Sequence, residues 1–278
     1  MGRYSRLRRI ETLDPATDFD EIFGLVTTYE FPWDYNQGTA IAFLRDFGIP
    51  SISALLDRTG EFEQHGQKRY DDTILIGYEA TVESLESPRG RAAMTRLNRI
   101  HGRYDIPDDE YRYVLATTLV GPKRWIDRYG WRPLHAHEVS AMAHVTTRFG
   151  ELMGLKGLPS SYDGYERLLD AYEAERFAFA PTNRRVAEAT IAIFTDRHPK
   201  PLRPLLRRTT IALFDEPLRE ALGLPAQPRW LSVVLDRALL VRARLLRWRP
   251  PRPESRPYVP DPTRTYPLGY TLADLGPA

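Results

Sequence analysis

The sequence of 278 residues contains no cysteine. Without thiols the chain cannot form disulfides, hold zinc or an iron–sulfur cluster through thiolates, or use a cysteine nucleophile. The composition therefore gives no indication of an oxidising compartment and excludes cysteine-based catalysis.

Long apolar runs and export signals are also missing. No stretch of about 18 apolar residues occurs, so no transmembrane helix is expected. The basic opening MGRYSRLRRIETLDP lacks the apolar core of a secretory signal, and Arg6 breaks the myristoylation pattern. We therefore expect a cytoplasmic protein that is soluble or at most associated with a membrane surface.

Several motifs of common enzyme classes are absent as well. Neither a GxGxxG segment nor a P-loop occurs, which disfavours nucleotide-dependent chemistry. No G-x-S-x-G segment supports a nucleophilic serine. No convincing period-two alternation marks a β-strand.

The apolar residues instead recur at intervals of three and four, which is typical of helices in a folded core. Hydrophobic residues make up 42% of the chain and aromatic residues 11%. The pattern predicts an all-α fold in one domain, and Asn183 is expected to cap a helix. A short helix that runs into a loop broken by Pro32 is expected near the N-terminus, over FDEIFGLVTTYEFPWDY. The longer predicted helices cover residues 109–129, 138–155, 162–179 and 230–248.

The net charge of +2 conceals a basic C-terminal part. Residues 200–278 contain 14 Lys and Arg against 7 Asp and Glu. We interpret the helix over 230–248 as a structural helix closing the core, with docking on a membrane surface or an acidic partner as the alternative. The Pro-rich segment after it should lie extended over the surface. The side of this helix expected to pack inward carries Trp230, Val234, Ala238, Val241, Leu245 and Trp248.

The stretch RLNRIHGRY places one histidine, His101, among apolar and cationic residues. On a helix, His101 shares a side with Leu97 and Ile100. A histidine on such a side can be a core residue bonded to a backbone carbonyl. With Arg96 and Arg99 on its flanks, it can equally be an axial haem ligand whose neighbours meet the propionates.

Two further polar stretches are candidate sites. In HAHE, His135, His137 and Glu138, with His144 beyond them, could bind a metal, although a solvated helix start is the better interpretation. In KRYDDT, Asp71 or Asp72 could cap the helix that follows. Alternatively, this stretch forms a polar wall opposite His101, where the side chains of Arg69, Asp72 and Thr73 face a bound ligand or oxygen.

Several stretches together resemble the MpaB-type oxygenases, relatives of the rubber oxygenase called latex clearing protein. They are EFPWDY, RDFGIPSI, ALLDRTGEF, KRYDDT, NRIHGRYDI, LVGPKRWIDRYGWRPL and MGLKGLPSSY. The resemblance covers residues 29–248. It implies a basic leader over 1–28, a catalytic helical domain over 29–249 and a Pro-rich tail over 250–278.

The resemblance implies a globin-like bundle around a buried b-type haem, with His101 as the proximal iron ligand. Arg69 and Thr73 match the Arg-x-x-Lys-Thr stretch of the rubber enzymes, but Asp72 stands where their distal lysine would be. The distal chemistry of those enzymes therefore does not carry over.

The implied reaction is oxidative cleavage of a carbon–carbon double bond in a prenyl or other lipid-like alkene by dioxygen. In that reaction Thr73 would hydrogen-bond oxygen, and Arg69 would hold a propionate or the distal polar network. Two alternatives remain open: a haem carrier or sensor without oxygenase activity, and a haem-free helical module that binds a membrane surface or a partner. Nucleic-acid binding is not expected.

Overall fold

The computed structural model describes residues 2–262 and 264–277; residues 1, 263 and 278, which belong to the predicted leader and tail, lie outside the described part. Within that part every regular element is helical and no strand occurs, so the predicted all-α class is confirmed. Besides the α-helices, the described part contains a π-helical segment (Leu25–Glu30) and a 3-10 turn (Lys200–Leu202). The α-helices are, in chain order, α1 (Ser5–Ile10), α2 (Phe19–Gly24), α3 (Pro32–Asp46), α4 (Pro50–Thr59), α5 (Glu61–Gln64), α6 (Gly66–Thr81), α7 (Pro88–His101), α8 (Asp108–Tyr129), α9 (Ala136–Leu152), α10 (Tyr162–Arg176), α11 (Pro181–Thr195), α12 (Arg203–Ala212), α13 (Glu216–Ala221) and α14 (Arg229–Leu246).

The crossing of α3 and α8 forms the centre of the molecule. Two glycines let the backbones approach: a Cβ on Gly38 would lie 2.4 Å from the Cα of Pro122, and one on Gly121 would lie 2.7 Å from the Cβ of Ala42. The 22-residue α8 also packs against α9, α10 and α14. It is therefore the element around which the other helices are arranged.

The predicted basic leader is part of the folded core. Its α1 buries Ile10 completely and places Arg6 against Glu30, with Nη1 to Oε1 at 3.3 Å. Arg132, after α8, binds Glu138 through Nη1 and Oε2 at 2.6 Å and approaches Glu30 to 3.5 Å. A buried network of ion pairs thus joins the N-terminal helix to α9.

The structure corrects three local expectations. Pro32 begins α3 rather than lying in a loop, because the first helical turn does not need its missing N–H. The KRYDDT stretch lies inside α6, which starts at Gly66, so Asp71 and Asp72 do not cap it. Asn183 lies inside α11 rather than at its start, and its Nδ2 donates to the carbonyl of Ala221 at 2.9 Å.

The inward side of α14 was assigned incorrectly from the sequence. Leu231 and Ala243 are buried, whereas the stripe expected to close the core is exposed from Trp230 to Trp248. Both sides of this helix are rich in apolar residues, so periodicity alone could not select the one that packs inward.

A separate question is whether any helix could cross a membrane. In residues 2–262 and 264–277 no single helix has the necessary length and apolar character. Among these described residues, one pair of helices, α3 and α4, reaches that length and composition together, and the two are bent by 94° relative to each other.

Asp46, the last residue of α3, is an acid buried in this central crossing. Its Oδ1 accepts a hydrogen bond from the Thr117 hydroxyl of α8 at 3.0 Å. Burial raises the pKa of Asp46 well above its usual range, and the negative charge of Glu173 adds to the effect, against the Thr117 hydrogen bond and the charge of Arg45. The folded protein therefore favours the protonated carboxyl.

We predict that Gly38→Ala lowers the free energy of unfolding by about 1–3 kcal/mol, because the added methyl group would overlap the backbone of Pro122. Chemical denaturation measures the change. Gly77→Ala is the matched control, since a Cβ there meets nothing within 4 Å and alanine favours the helix. Equal stability of the two variants would contradict the close crossing.

We predict that Asp46→Asn raises the melting temperature, and more so at pH 8 than at pH 4. The pKa of this carboxyl is higher in the folded than in the unfolded protein. The stability that the carboxyl contributes is therefore present below its unfolded pKa, near 4, and is lost as the pH rises above that value. The amide can still accept the Thr117 hydrogen bond but carries no charge to bury. Thermal unfolding at the two pH values measures the difference, and a gain that is independent of pH would refute the assignment.

Candidate functional site

His101 is the last residue of α7, a helix whose N-terminus is capped by the Ser87 side chain accepting from the N–H of Gly90 at 3.0 Å. The imidazole packs against the ring of Tyr111 near the start of α8, with ring centroids 5.1 Å apart. Its Nδ1 is buried and has no hydrogen-bond partner among the described residues. The alternative of a core histidine satisfied at this nitrogen by a backbone carbonyl is therefore not what the structure shows.

The electrostatic surroundings keep this imidazole neutral. Burial, followed by the nearby positive charge of Arg69, lowers the pKa of His101 to about 4. At physiological pH the ring is therefore uncharged, and one of its nitrogens carries a lone pair. This is the protonation state in which imidazole ligates a metal.

Arg69 and Thr73 occupy successive turns of α6 and are in direct contact. Nη1 of Arg69 donates to the Thr73 hydroxyl, and that hydroxyl donates to the Arg69 carbonyl at 2.9 Å. The guanidinium lies over the ring of Phe62, 5.7 Å from its centroid. No carboxylate in the described part forms an ion pair with Arg69, and burial lowers its pKa despite the opposing charge of Asp72.

Asp72 is held by a different set of groups. Its Oδ2 accepts from the Lys68 ammonium at 2.7 Å and from the N–H of Gly276 at 2.9 Å. Its Oδ1 accepts from the Tyr266 hydroxyl at 2.5 Å. The carboxylate is thus occupied by the C-terminal tail and makes no hydrogen bond to Arg69 or Thr73 in the part of the chain that the structure describes.

The two arginines expected to meet a cofactor lie in different surroundings. Arg96 donates through Nε to the carbonyl of Leu275 at 2.7 Å and through Nη2 to that of Ala273 at 3.1 Å. Arg99 is exposed. Within residues 2–262 and 264–277, no hydrogen bond or ion pair joins either one to His101 or Arg69.

The tail is the feature of this region that the sequence analysis did not recognise. It covers α6 and α7, and Leu275 is fully buried in a small cluster with Leu75, Ile76 and Ile100. The Tyr270 hydroxyl adds a hydrogen bond to Glu79 of α6 at 2.7 Å. The signal was the appearance of aromatic and apolar residues, YPLGYTLADL, after a polar, Pro-rich stretch.

The HAHE segment is a helix start, as predicted, but it is not solvated throughout, because Glu138 is fully buried. Nδ1 of His135 accepts from the N–H of His137 at 3.3 Å, and Glu138 reaches back to the N–H of His135 at 2.7 Å. His144 bonds within its own helix, with Nδ1 2.9 Å from the Ser140 carbonyl oxygen. No group of three or more metal-ligating side chains gathers among the described residues.

The fold and the site together define an all-α protein in which two neighbouring helices hold a neutral, partly buried imidazole and a partly buried guanidinium that has no ion-pair partner among the described residues. The family model described as "ER-bound oxygenase mpaB/B'/Rubber oxygenase, catalytic domain" matches residues 38–248. The chain belongs to this family. The match contains His101, Arg69 and Thr73 and ends before the tail.

Three fungal relatives agree with this assignment. The ER-bound oxygenase mpaB' of Penicillium brevicompactum is 32% identical over 246 residues, which are 81% of this chain and 58% of that protein. The ER-bound oxygenase mpaB of Penicillium roqueforti is 28% identical over 250 residues, 79% of this chain and 84% of that protein. For mpaB of Penicillium brevicompactum the identity is 29% over 246 residues, 81% of this chain and 56% of that protein. This chain thus spans less than three fifths of the length of two of the three relatives.

We predict that Asp72→Ala releases the tail from α6, because the Lys68 ammonium, the Tyr266 hydroxyl and the Gly276 N–H lose their common acceptor. Limited chymotrypsin digestion should then cut near the exposed Leu268 several-fold faster than in the wild type. Asp163→Asn changes an exposed carboxylate elsewhere and should leave the cleavage rate unchanged. Equal rates for Asp72→Ala and the wild type would show that other contacts hold the tail.

Proposed function

We propose that this protein is a haem-dependent oxygenase that uses dioxygen to cleave a carbon–carbon double bond in a prenyl or other lipid-like alkene. The observation that carries the proposal is the buried Nδ1 of His101, which has no partner in the described part of an oxygenase-family chain. Burying a polar atom without a hydrogen bond is costly, and ligation of a metal would satisfy it.

The residues present fit a b-type haem. A neutral imidazole is the usual proximal ligand of haem iron, and the low pKa of His101 keeps the ring in that form. Arg69 offers a partly buried positive charge without a carboxylate partner among the described residues, as an anionic propionate or a polar distal group would require. His101 is therefore the proposed iron ligand, and Arg69 a proposed binding residue.

When bound, a haem would supply the dioxygen activation and electron transfer that amino-acid side chains cannot perform. The rings of Tyr111 and Phe62 form apolar walls beside His101 and Arg69 respectively. Arg69 fixes the orientation of the Thr73 hydroxyl, whose proton is directed to the Arg69 carbonyl. Thr73 would have to leave that carbonyl to donate a hydrogen bond to a reactant.

Asp72 and Arg96 receive a positioning role in this proposal rather than a catalytic one. Asp72 is bound by three donors, two of them from the tail, and Arg96 binds two tail carbonyl groups. They connect the tail to the helices that carry Arg69 and His101. Their contribution would be to keep α6 and α7 in a fixed relative position.

We further propose that the protein associates with a membrane. The three relatives carry the description "ER-bound" in their names. A prenyl or other lipid-like substrate would partition into a bilayer. An enzyme bound at the bilayer surface can take such a substrate directly from the lipid.

We predict that protein produced with a haem precursor shows a Soret band, and that His101→Ala lowers the bound haem about tenfold or more because the iron loses its axial nitrogen. Absorption spectra and pyridine haemochrome content measure the effect. His198→Ala removes an exposed histidine and should retain the haem. A folded wild-type protein that binds no haem even after reconstitution would refute the proposal.

The same preparations distinguish the roles of the other residues. Thr73→Val should keep the haem and lower alkene-dependent oxygen consumption, whereas Arg69→Ala should weaken haem binding. Normal haem content and oxygen consumption in both variants would remove these residues from the site. Haem binding by the wild type without oxygen consumption on any prenyl alkene would indicate a carrier or sensor instead.

A further inference from the structure

Polar side chains on the inner side of α14 bind this helix to α8 and α3. Asp236 accepts from Nη2 of Arg128 at 2.6 Å and from the Tyr129 hydroxyl at 3.1 Å, both on α8. Arg242 donates through Nη1 to Asp34 of α3 at 2.8 Å. The rotation of α14 about its axis is therefore set by polar contacts, and its outer side is defined.

That outer side exposes large apolar residues along the whole helix. Trp230 is 62% exposed, Leu245 62% and Trp248 88%, and Val234 and Val241 are about half exposed. Trp230, Val234, Val241 and Leu245 align on one side of α14 over roughly 22 Å, and Trp248 follows two residues after the helix ends. Soluble proteins rarely leave such a continuous apolar surface uncovered.

The charge on this outer side is entirely positive. Arg237 and Arg244 fall directly beside the apolar stripe on the helical wheel, and neither forms an ion pair with a carboxylate in the described part of the chain. Asp236 is the only acidic residue of α14, and it is directed inward to Arg128. The surface is therefore apolar and cationic, without acidic residues of its own helix.

We propose that the outer face of α14, the stripe from Trp230 to Trp248 with Arg237 and Arg244, binds the surface of a bilayer containing anionic lipids. The helix would lie in the plane of the interface, with a tryptophan near each end at the headgroup level and the guanidinium groups on the lipid phosphates. Long arginine side chains reach the phosphates while their neighbours enter the apolar layer.

An anionic bilayer fits this face better than a second copy of the chain. A twofold interface formed by α14 would bring the same arginines of two copies together, and like charges at an interface oppose association. A lipid surface instead supplies the negative charge that α14 lacks. The inference names the surface for the membrane association proposed above and does not depend on haem.

The test is cosedimentation of the full chain with vesicles of phosphatidylcholine and phosphatidylglycerol, compared with vesicles of phosphatidylcholine alone. We expect the wild type to bind the anionic vesicles and to be released by high salt. Trp230→Ser/Trp248→Ser and Arg237→Glu/Arg244→Glu should each weaken binding about tenfold or more. A blue shift of tryptophan fluorescence on binding should shrink in the Trp230→Ser/Trp248→Ser variant.

Arg167→Glu/Arg184→Glu is the matched control, since it reverses two exposed arginines on other helices and changes the net charge equally. Its binding should equal that of the wild type. All variants change exposed side chains and should keep the wild-type melting temperature. Haem content measured without vesicles tests the oxygenase proposal separately.

Three results would overturn the inference. One is a wild-type protein that binds neither kind of vesicle, and another is equal binding by the α14 variants and the wild type. The third is a dimer in solution that the α14 substitutions convert to a monomer without altering vesicle binding, which would make this face a contact between two copies.

Discussion

The close crossing of α3 and α8 is the contact on which the rest of the helical frame depends. Because Gly38 and Gly121 carry no side chains, the two backbones meet directly, and both helices can hold other elements at defined positions. Asp34 of α3 accepts from the Trp125 indole N–H of α8 and from Arg242 of α14. The pair of α3 and α8 thus orients α14. In addition, α8 carries Tyr111, whose ring packs against the imidazole of His101.

The site combines a partly buried cation with a buried nitrogen that lacks a hydrogen bond in the described part of the chain. Arg69 has no carboxylate partner among the described residues, although Asp72 lies on the same helix and is used to hold the tail. The neighbouring imidazole responds by remaining neutral. A buried nitrogen without a hydrogen bond is unfavourable, and a partly buried cation favours a nearby negative charge. The proposed haem would supply both a metal for His101 and a negative charge for Arg69.

The two C-terminal segments are arranged in opposite ways. The tail, which looks polar and Pro-rich, buries Leu275 completely, while α14, which looks like a core helix, exposes Trp230 and Leu245. In both segments the sequence shows which residues are apolar but not which neighbours are available to cover them. The number of packing partners is a property of the assembled fold, and it decides whether an apolar stripe is core or surface.

The sequence by itself determined the helical class, the extent of α8 within one residue, and the identity of His101 as the residue to test, because strong periodicity and specific motifs are local properties. It did not determine where α6 begins, since polar KRYDD looks like a solvent-exposed loop until the tail supplies partners for its aspartates. Only the tertiary structure separated Asp72 from Arg69 and Thr73 and turned Trp230 of α14 outward. The physical reason is that these outcomes depend on contacts between residues about 110 to 210 positions apart along the chain, which no local pattern encodes.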